Sequence, residues 1–245
     1  MLRFQLLGIP VGVHATFLLI VVLGPTNSAQ AASLWVGAAF VAIMLHEFGH
    51  ALFARRFGAK GVNITLYGLG GLTSYSHEEG MSHGRSFVVS AAGSAVGIIA
   101  GLALIGLGRL DVFVGWPDAA IEFLDFFVFV ALVWGVLNWI PIVPLDGGHM
   151  AEHLIAVFSE EKAPLIAQVI TWVTVAAIVP LALLNGFYFA AVIVVVFAAA
   201  GFRDFRARTV SSETSVQPEV EELKPAPPAP PTPPEPPSTP PAFPI

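Results

Sequence analysis

Six stretches of this chain are each apolar over roughly the length a helix needs to cross a bilayer, residues 6–24, 31–53, 87–107, 126–145, 163–184 and 187–202. That repetition constrains the fold more than any single residue does. Charged residues make up only 11% of the chain and hydrophobic ones 56%, with a mean hydropathy of +0.78. A soluble domain carries about 25% charge. A core this large would have too little polar surface to wrap it in water, so lipid is the natural solvent. The expected architecture is an all-α membrane protein, a polytopic bundle of about six transmembrane helices.

The segments are not uniform. The first carries Pro10 and His14 but no charge, and Ala29-Gln30-Ala31 after it also fits the cleavage site of a secretory signal. Asn185-Gly186 makes a tight turn between the last two. With the N-terminus inside, Arg3, Arg55, Arg56, Lys60, Arg85, Lys162, Arg203, Arg206 and Arg208 all fall in the cytoplasm. Only Arg109 falls outside, beside Asp111, Asp118 and Glu122. A multi-pass protein with both termini cytoplasmic is expected.

From about Thr209 the composition changes. The tail 209–245, in which proline alternates with small and polar residues from Pro225, has too few apolar side chains for a core and is expected to be disordered. Consecutive prolines favour polyproline II, so a cytoplasmic proline-reading domain is a possible partner. The remaining 1–208 form the membrane domain. No basic patch with interleaved aromatics occurs, which argues against a nucleic-acid partner.

The second segment contains His46-Glu47-Phe48-Gly49-His50. On a helix two histidines four apart lie one turn above the other, so both imidazoles reach one ion, with the glutamate beside them to accept a proton. Such residues inside an apolar span cost several kcal/mol unless partnered and mark function by default. With 0 cysteines, any metal must be held by His, Asp or Glu. A catalytic zinc takes three protein ligands. The fourth segment supplies a third at its inner end, where Asn138-Trp139-Ile140-Pro141-Ile142-Val143-Pro144-Leu145-Asp146-Gly147-Gly148 leads into His149. Pro141 and Pro144 must break that helix, and irregular backbone at membrane depth is tolerated where it lines a cavity. By this reading alone Asp146 is equally a helix cap.

The paired motifs H-E-F-G-H and N-x-x-P-x-x-P-L-D-G-G resemble those of the site-2 protease family, the intramembrane zinc metalloproteases of peptidase family M50. The likeness spans roughly residues 8–155. Residues 8–14 are similar to the family's opening helix, and Tyr67-Gly68-Leu69-Gly70-Gly71 to its glycine-rich segment. The resemblance implies one Zn2+ per chain held by His46, His50 and Asp146, Glu47 as catalytic base and Asn138 as a helper at the substrate carbonyl. It implies a compact form without PDZ or CBS domains in a prokaryotic plasma membrane. Its substrate would be the transmembrane segment of a single-span regulatory protein. One departure is Ala92-Gly93-Ser94-Ala95-Val96-Gly97, where the family often has A-G-P-x-x-N.

His149 is a candidate to support Asp146, His14 to satisfy a helix contact, and His77 and His83 to be solvated loop residues. Ser90 and Ser94 are small residues suited to close helix packing. Two rival functions share the motifs, a membrane metal transporter and a catalytically silent relative that only binds membrane helices. Residues 68–71 offer a strand edge that would hold an unwound substrate.

Overall fold

The computed structural model describes residues 1–25, 28–68, 70–78 and 80–222, with side chains through 207. Leu69, Glu79 and the proline-rich residues 223–245 lie outside the described residues. Met1–Phe205 form one compact unit and Arg206–Ile245 a second.

Five helices are long and apolar enough to cross a membrane: α1 (Ala29–Arg56), α2 (His83–Gly108), α3 (Asp118–Asn138), α5 (Ala163–Leu184) and α6 (Tyr188–Glu222), the last through Ala207. A shorter α4 (Asp146–Ala156) follows α3. The protein is thus polytopic and mostly helical. Ser28 opens α1, its hydroxyl accepting from the Ala31 amide at 3.0 Å, and Arg55 and Arg56 occupy the last turn, where cations suit the helix dipole. The expected break in the fourth segment is present. The helix stops at Asn138, the chain runs irregularly through Pro141 and Pro144, and α4 starts at Asp146. α6 continues past residue 208, where the composition changes.

The first segment departs from expectation and is corrected. It is not a spanning α-helix. A four-stranded sheet of order β1-β2-β3-β4 forms from β1 (Leu2–Leu6), β2 (Ile9–Val13), β3 (Lys60–Tyr67) and β4 (Gly70–Ser76), and β2 takes the start of the apolar run. Leu7 and Gly8, with φ of 51° and 72°, form the two-residue turn that matches strand twist between β1 and β2. The parallel pairing with β3 begins only at Val11, so Pro10, which has no N–H to give, sits outside it.

What remains of the run, Ala15–Leu23, is a 3₁₀ helix of 9 residues. At about 2 Å per residue it climbs roughly 18 Å, where an α-helix of that length would reach roughly 13 Å. It runs antiparallel to α1. Phe17 meets the Phe40 ring edge-on at 6.1 Å, and the Trp35 indole donates to the Ile20 carbonyl at 2.8 Å. His14 caps it, as a helix contact rather than a metal ligand, its Nδ1 accepting from the Thr16 amide.

The sheet packs on the C-terminal half of α1. Val62, Ile64 and Leu66 alternate inward from β3 and join Ile9, Val11, Ala51 and Phe48 in one buried cluster with α3. The helices α1 and α2 cross at glycines. A Cβ on Gly49 would lie 2.6 Å from the Ala92 carbonyl oxygen and 2.7 Å from Gly93 Cα. Small residues permit such backbone contact between apolar helices, where dispersion rather than water exclusion drives association.

Candidate metal centre

α1 presents His46 and His50 on one face, and α4 brings Asp146 to them at its first residue. The three atoms His46 Nε2, His50 Nε2 and Asp146 Oδ2 form a near-equilateral triangle. Its edges are 3.1 Å between the imidazoles and 3.2 and 3.3 Å to the carboxylate. His46 is 4% exposed and His50 8%, so both imidazoles are shielded, while the Asp146 side chain stays partly open. Both imidazole helix positions and the aspartate foreseen from sequence are therefore brought together. Among the described residues no other group of three His, Asp or Glu meets the geometry for an ion.

The donor set itself calls for a cation. His50 Nδ1 lies 2.7 Å from the Val89 carbonyl oxygen, which can only accept, so Nδ1 carries a proton and Nε2 is the atom turned to the centre, where its lone pair can serve an ion. The carboxylate also presents lone pairs. A proton on His46 Nε2 would relieve one edge of the triangle and leave another facing lone pair to lone pair. His46 Nδ1 is buried with no hydrogen-bond partner, so no neighbour fixes a tautomer that would help. A dication at the centre satisfies all three atoms. Tetrahedral zinc with bonds of about 2.0–2.1 Å separates its ligands by about 3.3 Å, the observed edge.

Four neighbours fix this arrangement, and the roles of two of them, Ser94 and Thr73, carry no signal in the motifs. Ser94, fully buried on α2, donates to Asp146 Oδ2 at 3.2 Å. The sequence reading treats it as a packing residue at a departure from the family pattern; the structure gives it a direct contact with a candidate ligand. Thr73 on β4 holds Glu47, its hydroxyl 2.7 Å from Oε2 and 3.1 Å from the Glu47 carbonyl oxygen. Gly71, two residues earlier on the same strand face, leaves room for that side chain, since a Cβ there would overlap Glu47 Oε1. Gly93 does the same for His50, whose ring a Cβ would overlap.

The loop carrying Asp146 is buttressed from α5 and α6. Fully buried Thr171 accepts from the Val143 amide at 3.0 Å and donates to the Ala167 carbonyl at 3.0 Å. A Cβ on Gly201 of α6 would overlap the Val143 carbonyl. Gly147 and Gly148 fold the start of α4 against the backbone of residues 139–143 with no space for a side chain.

Asn138 is buried at the end of α3, but its amide donates to the Trp134 carbonyl at 2.9 Å, one turn back on its own helix. The remaining histidines stay apart from the triangle. His149 lies 4.0 Å from Glu152, His77 reaches the Phe57 carbonyl at 3.2 Å, and His83 faces Glu160 at 3.7 Å and the His153 ring.

The family model for peptidase family M50 matches residues 115–182. The chain is 31% identical over 182 residues to Rip2 of Mycobacterium tuberculosis, named as a candidate zinc metalloprotease, and covers 68% of that protein and 62% of its own length. The chain belongs to peptidase family M50, the site-2 protease family. It is also 30% identical over 162 residues to a zinc metalloprotease of Methanocaldococcus jannaschii, covering 62% of this chain but 44% of that one. The chain spans less than half the length of the first curated relatives it matches. Among solved structures, the site-2 protease from M. jannaschii superposes with a TM-score of 0.59 at 25% identity, over 82% of this M50 chain and 94% of that one.

Proposed function

We propose that this M50 protein is a zinc-dependent intramembrane endopeptidase that cuts transmembrane segments of single-span, membrane-anchored regulatory proteins. The observation that carries this reading is the convergence of three buried lone-pair atoms on one point, with a carboxylate held beside them by an edge strand. His46, His50 and Asp146 hold the zinc in this scheme. The ion, when bound, supplies Lewis-acid polarisation of the scissile carbonyl and an acidified water.

The chain's own residues do the rest. β4 is an edge strand of the sheet, and its free backbone groups receive a substrate segment that has unwound from its helix. Pairing there sets the peptide beside Glu47, because the same strand supplies Gly71 and Thr73. Thr73 engages Oε2, which leaves Oε1 to take a proton from the attacking water and pass it to the departing amide nitrogen. Asn138 gives up its bond to the Trp134 carbonyl and donates to the developing oxyanion, a contribution of about 3 kcal/mol in comparable sites.

The asymmetry of basic residues supports a cytoplasmic face for the sheet, α4 and both termini, in a prokaryotic plasma membrane. A proline-reading cytoplasmic partner for the proline-rich sequence from Pro225 belongs to the same proposal. A metal transporter would need polar residues spaced along a path to both faces, and the polar cluster here sits at one end of the bundle. The test is Glu47→Gln in proteoliposomes with a single-span substrate. Loss of cleavage with zinc content unchanged is expected; surviving cleavage, or zinc flux across the bilayer, would refute the scheme.

A further inference from the structure

The end of α1 and the start of α2 border an open cleft of about 650 Å³ lined by Phe53, Arg56, Phe57, Gly58 and Arg85, beginning one helical turn beyond His50. Arg56 is the last residue of α1 and Arg85 the third of α2. Both helices span the membrane, so the cleft lies at the level of the lipid headgroups whichever way the bundle is oriented. Among the described residues no carboxylate pairs with either guanidinium. Arg85 is instead held over the Phe57 ring, its Cζ 5.8 Å from the centroid.

Helix electrostatics accounts for Arg56, since a cation in the last turn of a helix is favoured. The same rule opposes Arg85 in the first turn of α2. An anion between the two reconciles them, because it is attracted by both guanidiniums and by the positive end of α2. The walls specify more than charge. Phe53 is 39% exposed and extends the cleft from the arginines towards the hydrocarbon, so a ligand with a phosphate head and an apolar chain fits both parts. Guanidinium forks match phosphate oxygens in pairs, and basic pockets between membrane helices on the cytoplasmic side are known lipid-headgroup sites.

We infer that the Arg56–Arg85 cleft binds the phosphodiester of an anionic phospholipid, with an acyl chain along Phe53. This reading is independent of the metal centre. A lipid seated there would tie the end of the helix bearing His46 and His50 to the start of the helix bearing Ser94.

The test is lipid binding to the full chain in mild detergent by native mass spectrometry. The probes are phosphatidylglycerol, phosphatidylcholine and inorganic phosphate. Wild-type protein should retain phosphatidylglycerol in preference to phosphatidylcholine. Arg56→Gln and Arg85→Gln should each weaken it about fivefold and together about 25-fold. Arg56→Lys with Arg85→Lys, which keeps the charge and guards against misfolding, should lose much less. A double glutamine variant that binds as wild type does would overturn the inference. So would an equal loss on replacing Lys162 and Arg203, which would mean diffuse charge and no site. Displacement of the lipid by millimolar inorganic phosphate would assign the cleft to a soluble phosphate instead and also overturn it.

Discussion

The hydroxyl of Thr73 lies 2.7 Å from Oε2 of Glu47, so the strand that borders the metal centre grips the carboxylate beside the two histidines. A hydrogen bond to a charged acceptor contributes about 1.5–3 kcal/mol. Thr73→Val, which keeps the shape and removes the donor, should lower kcat by about ten- to a hundredfold with zinc content unchanged, and Thr73→Ser should restore most of it. Equal rates for valine and serine would show that the contact does not orient the base.

Ser94 makes a different kind of prediction. Its hydroxyl occupies a lone pair on the very oxygen that faces the imidazoles. Groups that orient metal ligands typically contribute 10–100-fold in affinity. Ser94→Ala should therefore weaken zinc by about that factor in a chelator competition, with cleavage recovering at excess zinc. Unchanged affinity would reduce Ser94 to a packing residue.

Gly93→Ala sets steric limits on the same centre. The added methyl would overlap the His50 ring, and overpacking of this kind costs about 1–3 kcal/mol. Purified protein should retain its helical circular dichroism but hold well under one zinc per chain. A full complement of zinc would mean that α2 yields where the structure has backbone against imidazole.

Thr171 tests the buttress behind Asp146. Thr171→Val leaves the buried Val143 amide without an acceptor, at about 1–3 kcal/mol. The expected result is a lower unfolding temperature, largely restored by Thr171→Ser. A stability equal to wild type would show that α5 does not hold the loop through this bond.

The two histidines and Glu47 are legible in the sequence because a single helix turn sets their geometry, and five of the six apolar segments read correctly as spanning helices because bilayer thickness sets their length. Asp146 required the two prolines as a sign that the chain breaks near an ion. Ser94 and Thr73 stayed hidden for a common reason. Each acts across a tertiary contact, α2 to α4 and β4 to α1, with no spacing rule linking the partners. The sheet is not legible because Ile9-Pro10-Val11-Gly12-Val13 lies inside an apolar run, where strand and helix read alike. In β3 the apolar residues Val62, Ile64 and Leu66 alternate with Asn63 and Thr65, the period-2 pattern of a half-buried strand. Asn138 was placed by resemblance, and its observed bond runs to its own helix.

At Gly49 and Gly93 main chain rests on main chain, with no rotatable groups between to act as a cushion. Two rods joined so directly can pivot about that point but cannot glide along each other without collision. Stretching or thinning of the surrounding lipid must then be taken up at the far ends of the helices, while the spacing of His50 from Ser94 and its aspartate stays fixed.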